Sequence, residues 1–405
     1  MRLLVISQYF YPESFQINDI CRELARQGHS VTVLTGLPNY PGGTVPEEYR
    51  CGRRREEMWE GVRVIRCFEI GRRCGILWLG LNYLSYCLSA AWKSRKLKNE
   101  FDVIYVYQLS PVLMAFPGAV LKKRLKKPLY LYCCDIWPES MRIVLHDQYG
   151  PLIWAAKKAS TALYRACDRI AVQSPAFLDY FQTTHGIPSE RLCYIPQYAE
   201  GRYMGDESID NGIFDFVFLG NIGMAQGIDI MLSAAEILGS SYQFVLHFVG
   251  DGSFLENAKE LTRKKGLSGC VKFYGRRPPE EMPEFYRLAD ACLLALNTGS
   301  LVDRTIPSKL QGYMAAGCMV IGAIDGPAET VIEEAQCGLC AKPGDASDLA
   351  RKMAAFMQSP EKYQGCGRNG RAYFEKHFSK EQYLKKTCRI LNELCEGSIC
   401  LPERH

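Results

Sequence analysis

Ile306-Pro-Ser-Lys-Leu-Gln-Gly-Tyr-Met-Ala-Ala-Gly-Cys-Met-Val-Ile-Gly322, followed by Asp325-Gly-Pro-Ala-Glu-Thr-Val331, is the stretch from which the fold is read. Pro307 suits the first helical position, where a missing N–H costs nothing, and Gly317 suits the stop before the apolar run Met319 to Ile321. The stretch therefore predicts a helix that feeds a strand. Lys309 falls in the first turn, so its ammonium and the orphan backbone N–H groups around Ser308 can face one anion together. A phosphate fits such a helix start.

Outward from this point the chain alternates strand and helix, which implies an α/β protein with parallel sheets. Leu3 to Ile6, Asn18 to Arg26 and Ser30 to Leu34 read as strand, helix and strand; Val103 to Tyr107, Leu129 to Cys133 and Ile170 to Val172 are further strands, with a basic helix at Leu121 to Lys127. Carboxylates in Cys134-Asp-Ile-Trp-Pro-Glu-Ser140 lie just past a strand end, where open α/β sheets bind ligands. Asp135 and Glu139 could orient an acceptor group there, or Asp135 could cap the following helix. The polar segment Gly201 to Gly212 reads as a linker.

A second α/β unit starts at the strand Phe214 to Leu219. It runs into Gly220-Asn-Ile-Gly-Met-Ala-Gln-Gly227 and the helix Ile228 to Leu238. A glycine turn entering a helix lets backbone N–H groups of Gly220, Asn221, Gly223 and Gly227 approach a pyrophosphate, although such turns also serve packing. The strand Phe244 to Val249 ends in Gly250-Asp-Gly252, and the strand Val271 to Tyr274 leads to Arg276-Arg277. Pro279 to Leu288 reads as a helix, Ala291 to Leu296 as a strand, and Ala346 to Met357 and Glu381 to Leu394 as helices.

These motifs together resemble the retaining family-4 glycosyltransferases of GT-B fold, closest to the bacterial O-antigen and capsule branch that includes fucosamine transferases. The resemblance covers nearly the whole chain. It implies two Rossmann-like domains facing a central cleft: residues 1–195 on the acceptor side, 196–375 on the nucleotide-sugar side, and 376–405 crossing back to the first domain. It places Lys309, with Pro307 and Ser308, at the donor diphosphate, and Glu329 in a loop facing the donor sugar. It sets Asp135 and Glu139 toward the acceptor, Gly250 in a donor-side turn, and Arg276 and Arg277 at the uracil loop.

The departures from the family pattern are specific. The two family glutamates are replaced by Arg304 and Gly312, the first-domain loop carries Ser14 and Phe15 in place of glycines, and the donor loop has Asn221 and Gln226 in place of arginine and lysine. The diphosphate charge then falls to Lys309, helped by Arg276, Arg277 and Arg304; Arg304 beside Asp303 also reads as a surface ion pair. No Asp-x-Asp pair and no helical histidine pair occurs, so no metal is expected at the donor and no cofactor beyond the nucleotide-sugar, expected to carry UDP. The implied partners are a polyprenyl-diphosphate-linked glycan acceptor and an anionic membrane surface, without nucleic acid. Two alternatives stay open: a nucleotide-sugar 2-epimerase of the same architecture, and a catalytically inactive membrane-associated binding module.

Composition agrees with a large globular chain: 405 residues, 47% hydrophobic and 23% charged. The net charge of +5 is uneven, with 26 Lys+Arg against 17 Asp+Glu in residues 1–195 and 23 against 27 in the rest. The first half thus favours anionic partners such as a lipid surface. Cys74 to Trp92 is uncharged between Arg72-Arg73 and Lys93, Arg95, Lys96. Asn82, Ser85, Ser89, Lys93 and Lys96 share one stripe of the predicted helix, opposite Leu77, Leu81, Leu84 and Leu88, so an interfacial helix or one packed on the first domain's sheet is expected; the two can coexist, with Trp78 and Trp92 at a membrane interface and the leucines facing the core. The first strand is too short for a signal-peptide core, and a cytoplasmic protein peripheral on the inner membrane face is expected. The 18 cysteines are dispersed and read as reduced; Cys337-Gly-Leu-Cys340 lacks a second pair and reads as coincidence beside a turn. The turn Gln8 to Phe15 has no G-x-G-x-x-G, which argues against a dehydrogenase.

Overall fold

The structure, a computed structural model, describes residues 1–73, 75–141, 150–199, 211–296 and 305–397. Two compact units emerge: residues 1–195 with the chain from Leu384 onward, and Pro196–Tyr383. The first holds strands β1 (Arg2–Ile6), β2 (Ser30–Thr35), β3 (Glu56–Trp59), β4 (Val62–Arg66), β5 (Val103–Gln108), β6 (Leu129–Cys133), β7 (Arg169–Val172) and β8 (Leu192–Tyr194). They form one sheet in the order β3-β4-β2-β1-β5-β6-β7-β8, parallel throughout except for the β3–β4 pair. Its helices are α1 (Gln16–Arg26), α2 (Ile76–Ser94), α3 (Phe116–Leu125), α4 (Gly150–Ala166) and α5 (Pro175–His185).

The second unit has strands β9 (Phe214–Leu219), β10 (Phe244–Val249), β11 (Val271–Gly275), β12 (Ala291–Ala295), β13 (Val320–Ala323) and β14 (Gly338–Ala341). Their order is β11-β10-β9-β12-β13-β14, all parallel. Helices α6 (Ile228–Leu238), α7 (Leu255–Lys264), α8 (Met282–Leu288), α9 (Ser308–Ala315), α10 (Gly326–Glu334), α11 (Ala346–Gln358) and α12 (Cys366–His377) complete it, and α13 (Lys380–Glu396) follows. Both sheets reverse their strand order beside a central strand, β1 or β9, and at such a switch point the carboxyl ends of the strands leave a crevice for ligands. Continuous apolar runs explain the parallel centre: Leu3, Leu4, Val5 and Ile6 are all fully buried, as helices on both faces require.

Several local expectations are corrected. Pro307 is the residue before α9, in extended conformation, instead of its first helical residue. The basic helix begins at Phe116, not Leu121, because Pro117 suits a first turn; it ends at Leu125, with Lys126 left-handed. Residues 279–281 form a separate 3-10 turn before α8. Residues 376–383 belong with the second unit, where Phe378 is buried in the core. The turn expected beside Cys337 is present at residues 335–336, and Cys340 lies within β14, three residues on and so on the opposite face. Residues 201–210 of the expected linker lie outside the described residues.

The largest correction concerns α2. Its two faces exist as expected, but the polar one is inside: Asn82 and Ser94 are fully buried with Tyr86, Ala90 and Ala91, while Leu77, Leu84, Leu88 and Trp92 are 74%, 49%, 65% and 58% exposed. The reason is a buried polar cluster. Asn82 donates to Glu69 (2.6 Å) and to the Ile70 carbonyl (2.7 Å), and its own oxygen accepts from Gln8 (3.0 Å) and the Tyr9 hydroxyl (3.4 Å). Small residues on the same side let the helix approach the sheet closely. Among the described residues no helix is long and apolar enough to cross a membrane.

Burial of the Glu69 carboxyl outweighs its hydrogen bonds from Gln8, Asn39 and Asn82, and raises it to about 8. A folded-state value above the ordinary 4.5 means that the native form holds the proton more tightly than the unfolded chain. Stability of the first unit should therefore fall as pH rises from about 4.5 to about 8, at no more than about 1.4 kcal/mol per pH unit. Glu69→Gln should flatten that slope in thermal melts across this range; an unchanged slope would assign it to other groups. Asn82→Ala should lower the melting point by removing its bonds to Glu69, Gln8 and the Ile70 carbonyl, at about 1–3 kcal/mol, whereas Leu88→Glu on the exposed face should stay within about 0.5 kcal/mol of the parent.

Candidate functional site

Three neighbouring strands of the second unit end in glycine. Gly220, Gly250 and Gly275 close β9, β10 and β11 with φ of 131°, 149° and 67°. Their backbones interlock: the Gly220 N–H donates to Val249 O (2.9 Å) and the Gly250 N–H to Gly275 O (2.9 Å). A Cβ on Gly250 would stand 1.8 Å from Gly220 O, so no side chain is possible there. Above these turns lies a cavity of about 570 Å³, lined by Gly220, Asn221, Val249, Gly250, Asp251, Gly252, Arg276, Arg277 and Met282. It sits at the carboxyl edge of the sheet, where such folds bind ligands.

Lys309 reaches the same edge. Its stem crosses Gly220, where a Cβ would lie 2.5 Å from Lys309 Cε, and its ammonium donates to Gln226 Oε1 and stands 4.7 Å from the Phe218 ring centre. Burial lowers the ammonium to about 8. Tyr313, one helical turn on, holds α9 in place: its buried hydroxyl accepts from Leu219 N (3.1 Å) and donates to Leu293 O (3.2 Å), pinning the helix to β9 and β12. Gln311 adds a bond to Gln197 O (2.8 Å).

The remaining donor-side candidates divide. Asn221 packs its amide against Gly223 and Gly252; a Cβ on Gly223 would meet that amide at 2.6 Å, and one on Gly252 would meet the Ile222 carbonyl at 2.4 Å. Gly227 serves packing: it is left-handed before α6, and a Cβ would meet that of Ala295 at 2.7 Å. Arg277 is tied to Tyr274 O (3.1 Å) and Glu281 (3.4 Å), and Arg276 is exposed beside it. Pro307 and Ser308 open α9, whose first N–H groups have no side-chain cap. Glu329 lies in the first turn of α10, close enough to Cys340 to help raise that thiol, and is not among the residues lining the cavity. Arg304 lies outside the described residues. Sequence reasoning missed Asp251, Gly252, Met282 and the anchor Tyr313. The signal for the cavity was a glycine directly after each of three consecutive strand runs.

In the first unit, Asp135 and Glu139 follow β6. Asp135 accepts from Ser140 Oγ, and its carboxyl is raised by burial against the opposing pull of Ser140, Ser110 and the Ile136 N–H. Helical structure starts only at residue 139, so Asp135 precedes the cap position and braces the loop through Ser140. Gln108 Nε2 donates to Asp135 O (2.7 Å) and Trp137 Nε1 to Ser110 Oγ (2.9 Å), while Glu139 accepts from the Tyr180 hydroxyl (3.1 Å).

Comparison with known proteins accounts for both units. Residues 15–197 match the glycosyl transferase 4-like domain, and residues 202–373 match glycosyl transferases group 1. A putative colanic acid biosynthesis glycosyl transferase, WcaI of Escherichia coli K12, is 23% identical over 78% of this chain and 82% of its own length. Sucrose-phosphate synthase of Thermosynechococcus elongatus superposes with TM-score 0.74 at 18% identity, over 98% of this chain and all of the other. Anabaena HepE, solved in complex with UDP, superposes with TM-score 0.70 at 16% identity, over 97% of this chain and 100% of its own. With a group 1 domain on one parallel sheet and a family-4-like domain on the other, the chain is a glycosyltransferase of the GT-B fold, related to enzymes of polysaccharide biosynthesis.

Proposed function

We propose that this glycosyltransferase moves a sugar from a nucleoside diphosphate, UDP being the favoured carrier, to a lipid-linked acceptor in the building of a cell-surface polysaccharide, in the manner of O-antigen and capsule enzymes such as fucosamine transferases. The observation that carries the donor half is Lys309 laid across Gly220 beside the glycine-walled cavity. The Gly220 N–H is already given to Val249 O, so the diphosphate would lie against the Asn221 backbone N–H and the start of α9 at Ser308, with Lys309 supplying fixed positive charge and Arg276 and Arg277 adding to it. Glu329 is assigned to the donor sugar, and Asp135 and Glu139 to the acceptor. Gly223, Gly227 and Gly250 shape the turns.

In this reading the reaction retains the anomeric configuration and needs no metal. The acceptor hydroxyl attacks C1 on the face the diphosphate leaves; the new C1–O bond forms as the C1–O bond to phosphate breaks, and a phosphate oxygen takes the hydroxyl proton. Charge grows on the leaving diphosphate as the bond breaks, so a preorganised ammonium stabilises the transition state more than the bound donor. The membrane half rests on α2: Leu77, Trp78, Leu84, Leu88 and Trp92 face outward between Arg72-Arg73 and Lys93, Arg95 and Lys96, a pattern suited to the anionic inner face of a membrane.

Lys309→Ala should lower the turnover rate roughly 100-fold or more as well as weaken donor binding, measured with the lipid acceptor. Wild-type turnover in that variant would hand the role to the arginines. A lysine lowered to about 8 in the free protein must take up a proton when the diphosphate binds at higher pH. Donor affinity should therefore be flat below pH 7 and weaken by up to about tenfold per unit above pH 8, and this loss should vanish in Lys309→Ala. Asp135→Asn, which keeps an acceptor oxygen for Ser140, should leave UDP-sugar binding intact while slowing transfer; equal transfer would reduce Asp135 to a loop brace. Detection of a glycoside product with the donor's anomeric configuration in the presence of EDTA separates this reading from an epimerase and from an inactive module.

A further inference from the structure

Within the first unit, α2 and α4 frame a second cavity of about 660 Å³. Its walls are almost wholly apolar, built by Ile76, Leu79 and Leu84 of α2, Leu113, and Leu152 and Ala156 of α4. At about 30 Å³ per heavy atom, the share of a water molecule in the liquid, it has room for roughly twenty carbons. Its polar points are few. Ser110 and Ser140, the two hydroxyls that bond Asp135, line it, and so does Arg72.

Arg72 is the cation of that lining among the described residues, and it is built in. Its backbone N–H donates to Asn39 Oδ1 (2.9 Å), which also accepts from Asn82 (3.3 Å), and its guanidinium stands 5.4 Å from the Tyr40 ring centre. The buried cluster of Gln8, Glu69 and Asn82 thus fixes the segment that carries the charge. Outside the cavity the same two helices expose Leu77, Leu88 and Trp154 with Lys157 and Lys158 alongside.

We infer that this cavity seats the hydrocarbon chain of the lipid-linked acceptor, with the acceptor's phosphate at Arg72 and its sugar end toward Ser110, Ser140 and Asp135. The inference rests on the acceptor class proposed above. An apolar slot of this volume with a single guanidinium among its described walls complements one hydrocarbon chain bearing an anionic head, and neither a peptide helix nor a second copy of the chain supplies that pairing. Apolar contact supplies the affinity, each buried methylene strengthening binding about fourfold, and the arginine supplies the register that brings the sugar to Asp135.

The test is titration calorimetry on the full chain with geranylgeranyl diphosphate, a soluble isoprenyl diphosphate of matching length. Saturable one-site binding is expected, with inorganic diphosphate and uncharged geranylgeraniol each at least tenfold weaker. Ala156→Trp, which fills the slot from its half-exposed wall, should weaken binding at least tenfold, and Arg72→Gln should reduce the diphosphate to the affinity of the alcohol. UDP binding and melting curves monitor folding; if Ala156→Trp unfolds the first unit, Ala159→Phe on the same wall replaces it. Absence of saturable binding, or wild-type affinity in both wall variants, overturns the inference. Displacement of the probe by phosphatidylglycerol vesicles at equal lipid phosphate would assign the slot to bulk lipid and overturn it also. Binding does not require transfer, so intact binding without glycoside formation would overturn the transferase reading and leave this one standing.

Discussion

The candidate site of the second unit depends on the contact between the Lys309 stem and Gly220. A lysine lies flat over the end of β9 only because position 220 has no side chain, and the ammonium is partly dehydrated as a result. The glycine in turn can close the strand only because Gly250 next to it leaves its carbonyl free of a Cβ. Tyr313 completes the arrangement by bonding two strands at once, so that the helix carrying the lysine cannot slide along the sheet. Charge, backbone turns and helix position are one mechanical unit. This is how a positively charged group is held in place with no carboxylate paired to it among the described residues, where such a partner would cancel part of its field.

The alternating strands and helices of both units were readable from sequence because parallel sheets buried on both faces demand unbroken apolar runs, and runs such as Leu3 to Ile6 and Phe214 to Leu219 have few other uses. The glycine turns were readable for a similar reason. By contrast, periodicity shows that α2 has two faces without saying which is inside. Burying the leucines is the ordinary solution, and it is overruled by Gln8, Asn39 and Glu69, whose positions 13 to 74 residues away no local pattern reports. The small residues Ala90, Ala91 and Ser94 on the polar side were the overlooked hint, since close approach to a sheet needs them.

The two weaker placements have similar origins. Glu329 was assigned by resemblance, and its helix position beside Cys340 depends on how β13 and β14 pair, which the local sequence does not specify. Asp135 was read as a ligand group or a cap; its place before the cap position removes the second reading, and its bonds to Ser140 and Ser110 stand beside the first, which remains a proposal. A bracing carboxylate still fixes what its partners present, and those partners line the apolar cavity. Position on a strand end is a strong guide to the neighbourhood of chemistry and a weak guide to the role of a particular side chain.

The reversed polarity of α2 has a dynamic consequence. Hydrogen bonds from one helix residue, Asn82, draw together the loops after β1, β2 and β4, so these three connections lose their independence. Loops ordinarily open one at a time at little cost, and amide hydrogen exchange in them is fast. Here exposing any one of them breaks bonds to a fully buried asparagine and to a buried carboxyl, so the loops and the helix should open as a single cooperative unit, with exchange protection of core type expected. The rim of the apolar cavity is then a stiff frame. The acceptor chain inferred above would meet that frame already set.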